Sequence, residues 1–486
     1  MYFGKPICCW CSLTVLAIWT LLGLGIDKRV TAENFRSQPP NVVLILVDDL
    51  GWMDLGCQGS DYFKTPNIDA LAASGIRFTD AYAACAVCSP TRAAVMTGKS
   101  PARTGITDWI RARFQRGNLG TPDQNPTDYV GGPKRKLLCP PNPYWMEHEE
   151  ETVAELLKAR GYQSCHIGKW HLGDPAWYPT AQGFDRNIAG CDLGQPPSYF
   201  DPYFHRRYNF DGQLTPRSEG EYLTHREADE AQNFIAEHHD KPFFLFYCPY
   251  AVHTPIQAID DVTEKYRREG KTEVKAKYAA MIESVDDAVG TITDALDAHG
   301  LTGHTLIIFT SDNGGLVGPT DNKPLRSGKG YAYEGGIRVP LIVKWPGVVM
   351  PGSVSSVPVT SVDLFPTIAD ATGTSSQNTD LLDGHSLVPI LRDPSTGPTP
   401  RSLYWHFPHY RHAPGPYGIV RDGNWKLIRW YEGGHELYHL KDDLGETTNL
   451  ASELPDRVKL MQAKLDAELF RVGAKEPRVN PAFQAE

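Results

Sequence analysis

Cys88 begins a segment in which a proline follows the thiol by two residues and an arginine follows the proline by two more. The segment reads Cys88-Ser-Pro-Thr-Arg92 and continues Ala-Ala-Val-Met-Thr-Gly. Pro90 suits the first turn of a helix and the residues after it continue one. Cys88 is therefore predicted at or just before a helix N-terminus, where free N–H groups and the helix dipole favour an anion. The alternative is a small buried cysteine before a helix, the usual fate of a free thiol.

Four cationic or titratable residues follow Cys88 along the chain. Lys169 and His171 are two positions apart, so they share a face on a strand or extended segment. His253 lies in Tyr-Ala-Val-His-Thr-Pro, and Lys329 lies in Ser-Gly-Lys-Gly-Tyr. Each residue alone is more often solvated or structural, and this chain has 16 histidines. Only sequence context selects His171 and His253 among them.

Two pairs of oxygen-bearing side chains end apolar runs of the sequence. Asp48 and Asp49 end the first run, and Asp312 and Asn313 end a later one. Ligands of open parallel sheets bind outside the carboxyl ends of the strands, so both pairs are predicted to lie at that edge. Carboxylate and amide oxygens suit calcium or magnesium better than zinc. The alternative for paired acids at a strand end is a helix cap or a turn.

These segments resemble, in this order, the signatures of type I sulfatases, the formylglycine-dependent arylsulfatases of the alkaline phosphatase superfamily. Cys88-x-Pro-x-Arg is similar to the segment whose cysteine a formylglycine-generating or sulfatase-maturating enzyme oxidises to Cα-formylglycine. The segment around Lys169 and His171 is similar to the second signature of the family. The resemblance runs from Asn41 to beyond Lys329 and continues into the C-terminal part. It implies that the chain is a sulfuric ester hydrolase.

The resemblance also implies a role for each residue. One hydroxyl of the hydrated formylglycine attacks sulfur, helped by Asp312 and calcium, and His171 takes the proton of the other as sulfate leaves. Lys329 or His253 protonates the departing alcohol, and Arg92 holds the modified residue. The implied calcium ligands are Asp48, Asp49, Asp312, Asn313 and the modified Cys88. The implied catalytic residues are Cys88, Arg92, Lys169, His171, His253 and Lys329. The implied substrate-binding residues are Lys169, His253 and Lys329.

The predicted reaction releases inorganic sulfate from a sulfated small molecule or glycan, with a sulfated carbohydrate favoured. A phosphate or phosphonate monoester hydrolase of the same superfamily is the nearest alternative, because it shares the fold, the metal site and the modified cysteine. An inactive module that binds sulfated glycans and keeps the Cys88 thiol is another. Five residues of the long insertions are candidates to line a sugar-binding cleft, with packing inside the loops as the alternative; they are Trp109, Arg111, Arg113, Trp145 and Tyr203.

Buried strands and helices must position these residues. Continuous apolar runs are typical of strands buried on both faces of a parallel sheet, and they occur at Asn41 to Val47, Phe243 to Cys248, Thr305 to Thr310 and Val339 to Lys344. Helical patterns lie between them at Asn67 to Ser74, Glu151 to Arg160, Glu227 to His238 and Val274 to His299. This alternation predicts an α/β fold with a large, mostly parallel sheet flanked by helices. With the resemblance, we expect an alkaline-phosphatase-like sandwich.

The character of the sequence changes beyond about Asp393. Residues 418–430 have the alternation of a hairpin around Asp422-Gly423, residues 436–440 resemble a further strand, and residues 455–470 resemble an amphipathic helix. A smaller C-terminal α+β subdomain is therefore expected. The predicted domains are a signal segment at 1–32, a catalytic domain at 41–393 and the C-terminal subdomain at 394–486.

The N-terminus predicts export. Residues 7–26 are uncharged and mostly apolar, with charged residues on both sides and a small-residue cleavage site at Val30-Thr-Ala32. An uncleaved signal anchor is the alternative and the one case in which a membrane is expected. The predicted location is periplasmic, lumenal or secreted.

Composition excludes some partners. A formal net charge of −10 argues against a nucleic-acid binder. Three of the 10 cysteines lie in the signal segment, and the remaining seven are scattered singly. Export permits disulfides, but their pairing cannot be read from the spacing.

Overall fold

The computed structural model describes Met1 and residues 39–116, 122–268, 270–376, 378–396 and 401–484. The predicted signal segment at 1–32 lies outside the described residues except for Met1. The described residues from Pro40 onwards form one compact unit. Among the described residues there is no helix with the length and apolarity needed to cross a bilayer.

Sixteen strands occur in the described part of the chain. In chain order they are β1 Asn41–Val47, β2 Ile76–Phe78, β3 Ala81–Tyr82, β4 Leu137–Leu138, β5 Gln163–Gly168, β6 Arg186–Ile188, β7 Phe243–Cys248, β8 Thr305–Ser311, β9 Leu341–Lys344, β10 Ser353–Ser355, β11 Val359–Thr360, β12 Ser402–Phe407, β13 Tyr417–Asp422, β14 Trp425–Trp430, β15 His435–His439 and β16 Arg478–Val479. Two sheets, of eight and four strands, account for most of them.

The eight-stranded sheet has the order β10-β2-β9-β8-β1-β7-β5-β6. β1 pairs in parallel with β7 and β8, and β9 runs antiparallel to both of its neighbours. Every residue of β1, β7 and β8 is buried. Strands covered on both faces need apolar side chains at successive positions, which is why these three are continuous apolar runs in the sequence.

Helices cover this sheet in two groups that pack among themselves. In chain order the described helices are α1 Pro66–Ala73, α2 Cys88–Thr97, α3 Pro101–Thr104, α4 Val153–Lys158, α5 Leu223–Glu237, α6 Asp260–Glu264, α7 Glu273–Ala298, α8 Glu334–Ile337, α9 Leu364–Thr372, α10 Val388–Arg392 and α11 Pro455–Arg471. One group contains α1, α5, α6 and α7, and the other contains α2, α4, α9 and α10. Members of both groups, α4 and α5, contact β5.

The C-terminal part is an antiparallel meander, β12-β13-β14-β15, with one helix against it. Apolar residues of β13, β14 and β15 pack on α11, and they include Val420, Leu427 and Leu437. Its other face packs on the segment that precedes Cys88, through residues such as Trp405 and Ile419. The predicted fold class is confirmed, with a large, mostly parallel sheet and a smaller C-terminal α+β part. The division at residue 393 stays a prediction.

The long insertion after Gly105 contains little regular structure in its described residues. Between residues 105 and 148 these contain β4 and a 3-10 turn at Arg113–Gln115. The described cysteines form no disulfide, so Cys57, Cys85, Cys88, Cys139, Cys165, Cys191 and Cys248 are free thiols.

Candidate active site

The oxygen-bearing pairs meet at the carboxyl ends of β1 and β8. These strands pair in register with Val47 opposite Ser311, so Asp48 and Asp312 emerge side by side. The Asp49 backbone N–H donates to Asp312 Oδ1 at 3.2 Å, and Asn313 Nδ2 donates to Asp49 Oδ1 at 2.8 Å. The parallel pairing thus brings together residues that are more than 260 positions apart.

Three buried cations face these three carboxylates. Arg92, from α2, donates through Nε to Asp312 Oδ2 at 2.9 Å and through a terminal nitrogen to the Lys169 carbonyl at 2.6 Å. Lys169 Nζ lies 2.7 Å from Asp48 Oδ2, and Lys329 Nζ lies 2.6 Å from Asp49 Oδ1. The formal charges of the cluster balance.

Burial and these neighbours shift the carboxyl pKa values in different directions. Burial raises the pKa of Asp48 to about 6, although Lys169 and Arg92 lower it. Burial also raises the pKa of Asp312, and the adjacent Asp48 adds to the effect. For Asp49, Lys329 and His253 outweigh burial, so its pKa lies below the ordinary range. A bound divalent cation would favour the ionised form of all three carboxyls.

The donor set fits a hard cation. Within the described residues, Asp48 Oδ1 and Asn313 Oδ1 are buried and accept no hydrogen bond. Buried oxygens without a partner are costly, and coordination to a cation removes that cost. Ligand atoms of Asp48, Asp49 and His253 all lie within 4.8 Å of one another. An acid-rich oxygen cluster of this kind suits calcium or magnesium.

Cys88 is the first residue of α2 and faces His171. Its Sγ lies 3.3 Å from His171 Nδ1, and the thiol is 3% exposed. His171 Nε2 lies 2.7 Å from the Ile110 carbonyl oxygen. A carbonyl only accepts hydrogen bonds, so Nε2 carries the ring proton and Nδ1 presents a lone pair to position 88.

The orientation of His171 is fixed by its surroundings. Its backbone has φ +61°, in the left-handed region that is uncommon for a side-chain-bearing residue. Ser89 Oγ donates to the His171 carbonyl and accepts from the Ile110 N–H, both at 2.9 Å. Burial, followed by Lys169 and Arg92, holds the pKa of His171 well below its ordinary value. The ring is therefore neutral.

A cavity of about 300 Å³ opens over these groups. Of the predicted site residues, Cys88, His171, His253 and Lys329 line it. Arg92, Lys169 and the acids are buried next to it. Seven further residues line the cavity. Trp109 had been considered only as a cleft candidate, and the others had not been predicted; the seven are Val87, Trp109, Phe114, Gln115, Gly194, Gln195 and Arg411.

The five residues predicted either to line a sugar-binding cleft or to pack inside the loops do not all behave alike. Trp109 lines the cavity, whereas Arg111 lies over the outside of its ring, 5.1 Å from the centroid, and does not line the cavity. The other three pack inside the loops: Arg113 pairs with Asp192 and Asp211, Trp145 stacks on Trp177, and Tyr203 donates to Glu221. Arg411 was missed, although its segment, His-Phe-Pro-His-Tyr-Arg-His, is an aromatic and basic run in a loop, where binding residues concentrate.

Comparison with known proteins agrees with this geometry. The sulfatase family matches residues 40–374, and the C-terminal family of N-sulphoglucosamine sulphohydrolase matches residues 327–475. A sulfatase of Formosa agariphila is 32% identical over 93% of this chain and 93% of its own length. Arylsulfatase A of Homo sapiens is 32% identical over 89% of each protein.

A solved structure extends the similarity to three dimensions. The crystal structure of Ps i-CgsB in complex with k-i-k-neocarrahexaose superposes with a TM-score of 0.75 at 29% identity, covering 92% of this chain and 95% of that one. The family match spans well over half of the chain, and the fold agrees along nearly all of it. The chain belongs to the sulfatase family and is a sulfuric ester hydrolase of alkaline-phosphatase-like fold.

Proposed function

We propose that this protein hydrolyses sulfate esters of a sulfated carbohydrate, with Cys88 converted to Cα-formylglycine and calcium at the adjacent acid cluster. The observation that carries the proposal is the contact between Cys88 and the unprotonated Nδ1 of His171, at the wall of a cavity that Lys329 and His253 also line. In the overall reaction the ester S–O bond breaks, water supplies the new oxygen on sulfate, and the alcohol takes a proton.

The environment of Cys88 fits the modified residue. Its Sγ stands where a hydroxyl of the hydrated aldehyde would lie, within reach of His171. Conversion breaks the Cβ–S bond and makes a C=O bond, with the oxidant supplied by a formylglycine-generating or sulfatase-maturating enzyme. The hydrate supplies one hydroxyl for attack on sulfur and a second through which the product is released, which a thiol cannot do.

The proposed calcium ligands are Asp48, Asp49, Asp312, Asn313 and an oxygen of the modified Cys88. Their support is the oxygen-rich donor set and the two buried oxygens that lack a hydrogen-bond donor among the described residues. A calcium ion held by these residues would supply positive charge beside the ester sulfate.

Two residues are suited to move protons. His171 accepts a proton at Nδ1, because Nε2 already donates to the Ile110 carbonyl. Lys329 stays protonated because Asp49 raises its pKa against the effect of burial, so its ammonium can donate to the departing alcohol oxygen. His253 is less suited as a donor, because burial and Lys329 hold its pKa well below the ordinary value and its Nδ1 proton binds the Thr254 carbonyl.

Arg92 and Lys169 hold the cluster together. Arg92 connects α2 to Asp312 and to the backbone of Lys169, so it sets the distance between position 88 and the acids. Lys169 pairs with Asp48, and it is positioned to turn towards an ester sulfate once a cation takes over that carboxylate. Both side chains are fully buried, where fixed positive charge acts strongly on an anion.

The carbohydrate substrate and the exported location are parts of the same proposal. Ps i-CgsB, which was crystallised with a neocarrahexaose, covers 92% of this chain. The cavity rim carries amide and aromatic side chains, which suit sugar hydroxyls and ring faces. Export is supported by the apolar N-terminal stretch with its small-residue cleavage site.

The test combines mass spectrometry with turnover. The Cys88 peptide from protein made with a maturating enzyme is expected to be lighter than the thiol form by the thiol-to-aldehyde difference. That protein should release sulfate from 4-nitrophenyl sulfate and from sulfated sugars. Cys88→Ala should remove turnover, whereas Cys57→Ala, a half-buried cysteine outside the cavity, should keep it.

Four results would contradict the proposal or part of it. An unmodified thiol in active protein, or activity retained by Cys88→Ala, would exclude the formylglycine nucleophile. A faster reaction with a phosphate or phosphonate ester than with the matched sulfate ester would favour the phosphorus-ester alternative. An unmodified thiol without any sulfate release would favour a glycan-binding module.

A further inference from the structure

Arg411 brings a positive charge into the cavity that the sulfatase reaction itself does not require. It lies in the connection between β12 and β13 and lines the cavity together with Cys88 and Lys329. The ester sulfate already has Lys329 and the buried cluster beside it. Arg411 is therefore available to bind a different anionic group at the cavity rim.

The Arg411 side chain is held in place by packing. Its guanidinium carbon lies 4.7 Å from the centroid of the Trp109 ring, a cation–π contact. The side chain also lies close to the backbone of Gly330, the residue after Lys329. A Cβ added to Gly330 would lie only 2.3 Å from Arg411 Nε. The next residue, His412, stacks on Tyr331, with the ring centroids 4.0 Å apart and the ring planes at 4° to each other. The cation is thus oriented before any ligand binds.

Arg411 forms no close ion pair in the described ranges, although the buried Asp108 is near enough for the positive charge of Arg411 to lower the pKa of that carboxyl. The Arg411 side chain also forms no hydrogen bond within these ranges, and its buried Nε is left without an acceptor. The other cavity cation, Lys329, is paired with Asp49, and Arg92 behind the cavity is paired with Asp312. A guanidinium stays charged at any physiological pH, and its planar fork matches two oxygens of a carboxylate or sulfate. A positioned, unpaired guanidinium in a substrate cavity is an anion-recognition group.

We infer that Arg411 determines specificity by binding a second anionic group, a sulfate or a carboxylate, on the sugar unit that carries the scissile ester or on its neighbour. The inference rests on the proposed function, since it assigns the substrate class of that site. The preferred substrate is then a polyanionic saccharide rather than a sugar with one sulfate.

The experiment compares Arg411→Gln and Arg411→Lys with Arg111→Gln. Arg111 is the matched control because it is an exposed arginine over the same Trp109 ring and does not line the cavity. The substrates are sulfated disaccharides in matched sets: one sulfate only, a second sulfate added, or a uronic acid added. Initial rates give kcat/KM for each, and calorimetry on a Cys88→Ala background gives Kd without turnover.

The unsubstituted enzyme should prefer the two-anion members. Arg411→Gln should reduce that preference about tenfold or more, as expected for loss of a charge-assisted bidentate contact. Arg411→Lys should restore part of it, and Arg111→Gln should leave it unchanged. A loss confined to the disulfated or to the uronate member identifies the recognised group.

Equal losses on one-anion and two-anion sugars, or no initial preference, would overturn the inference. Absence of sulfate release from every member would instead overturn the proposed function. The calorimetric comparison still decides the role of Arg411 in that case, because it needs no turnover.

Discussion

The two ring nitrogens of His171 show what residue types alone can and cannot predict. The motif selects His171 among 16 histidines, and the structure places it 3.3 Å from Cys88. Its tautomer follows from the Ile110 carbonyl, which lies 61 positions away in the long insertion. A backbone carbonyl carries no side-chain signature, so no sequence pattern identifies that contact. The residue beside Cys88 could be predicted, but the ring nitrogen that faces Cys88 could not.

Glu227 is a buried carboxyl close to the site with no proposed catalytic role. It is fully buried on α5, and no cation pairs with it in the described part of the chain. Burial raises its pKa well above the ordinary value, and the Tyr250 N–H lowers it only in part. A carboxyl whose pKa is raised by folding binds its proton more tightly in the folded state. Folding stability therefore falls as pH rises above the unfolded pKa.

Glu227→Gln should make the protein more stable at neutral pH, because the amide has no charge to bury. We expect Tm to rise by about 1–3 °C at pH 7–8, and the gain should shrink towards the pH of the unfolded carboxyl pKa, about 4.3. Thermal scans across this pH range check it. Glu219→Gln, an exposed carboxylate, is the control and should change Tm little. A gain that stays constant with pH would show that Glu227 is not protonated on folding.

At the scale of elements, burial on both faces decided which strands could be predicted. β1, β7 and β8 are continuous apolar runs, and their predicted bounds agree with the structure to within one residue. β5 was not predicted as a strand, because Gln163, Ser164 and His166 break its apolar pattern. His166 is nevertheless fully buried, among aromatic rings. Tertiary packing therefore overrides the local signal at the element that leads into Lys169.

The turn after β8 depends on a close backbone approach. Gly314 follows the Asp312-Asn313 pair, and its N–H donates to the Gly336 carbonyl at 3.0 Å. A Cβ at this position would lie 1.8 Å from the Gly335 carbonyl oxygen. Backbone atoms of α8 cannot move aside as a flexible side chain can. Glycine is thus required where the two acid pairs and α8 converge.

Gly314→Ala should destabilise the protein and misplace Asp312 and Asn313. We expect a loss of about 1–3 kcal/mol from overpacking, with a lower kcat because a small displacement of catalytic groups is costly. Urea unfolding and turnover of 4-nitrophenyl sulfate measure the two effects. Gly303→Ala is the control, since nothing lies within 4 Å of its added Cβ. Equal behaviour of the two variants would refute the close approach.

At the scale of the whole molecule, the C-terminal sheet completes the cavity and anchors the segment around Lys329. Arg411 comes from the connection between β12 and β13, whereas Lys426 of β14 reaches α8. The sequence indicated a hairpin, a strand and a helix here, because their periodicity is local. The contacts with α8 have no signature in the sequence, since the partners lie 92 residues apart or more.

Lys426 is the centre of that interface. Its Nζ lies 3.0 Å from Glu334 Oε1 and 2.7 Å from Glu446 Oε1, and all three side chains are fully buried. Although burial raises the pKa of Glu334, Lys426 and Arg338 bring it down to about 2. For Glu446, burial and Glu334 outweigh Lys426 and raise the pKa to about 7. Lys426 is therefore the cation that both carboxyls share, and Glu334 has Arg338 as a second partner.

Lys426→Met should uncouple the C-terminal sheet from α8. Methionine keeps much of the side-chain volume but leaves Glu446 buried without a cation, and removal of one partner of a buried pair costs about 3–5 kcal/mol. We expect a large fall in the free energy of unfolding, greater above pH 7 where both carboxyls are ionised, and lower kcat because α8 follows the Lys329 loop. Chemical unfolding at several pH values measures this, with the exposed Lys441→Met as control. Equal stability of the two variants would show that the C-terminal sheet docks through its apolar contacts alone, and the buried ion pairs would then have no part in holding Lys329 in the cavity.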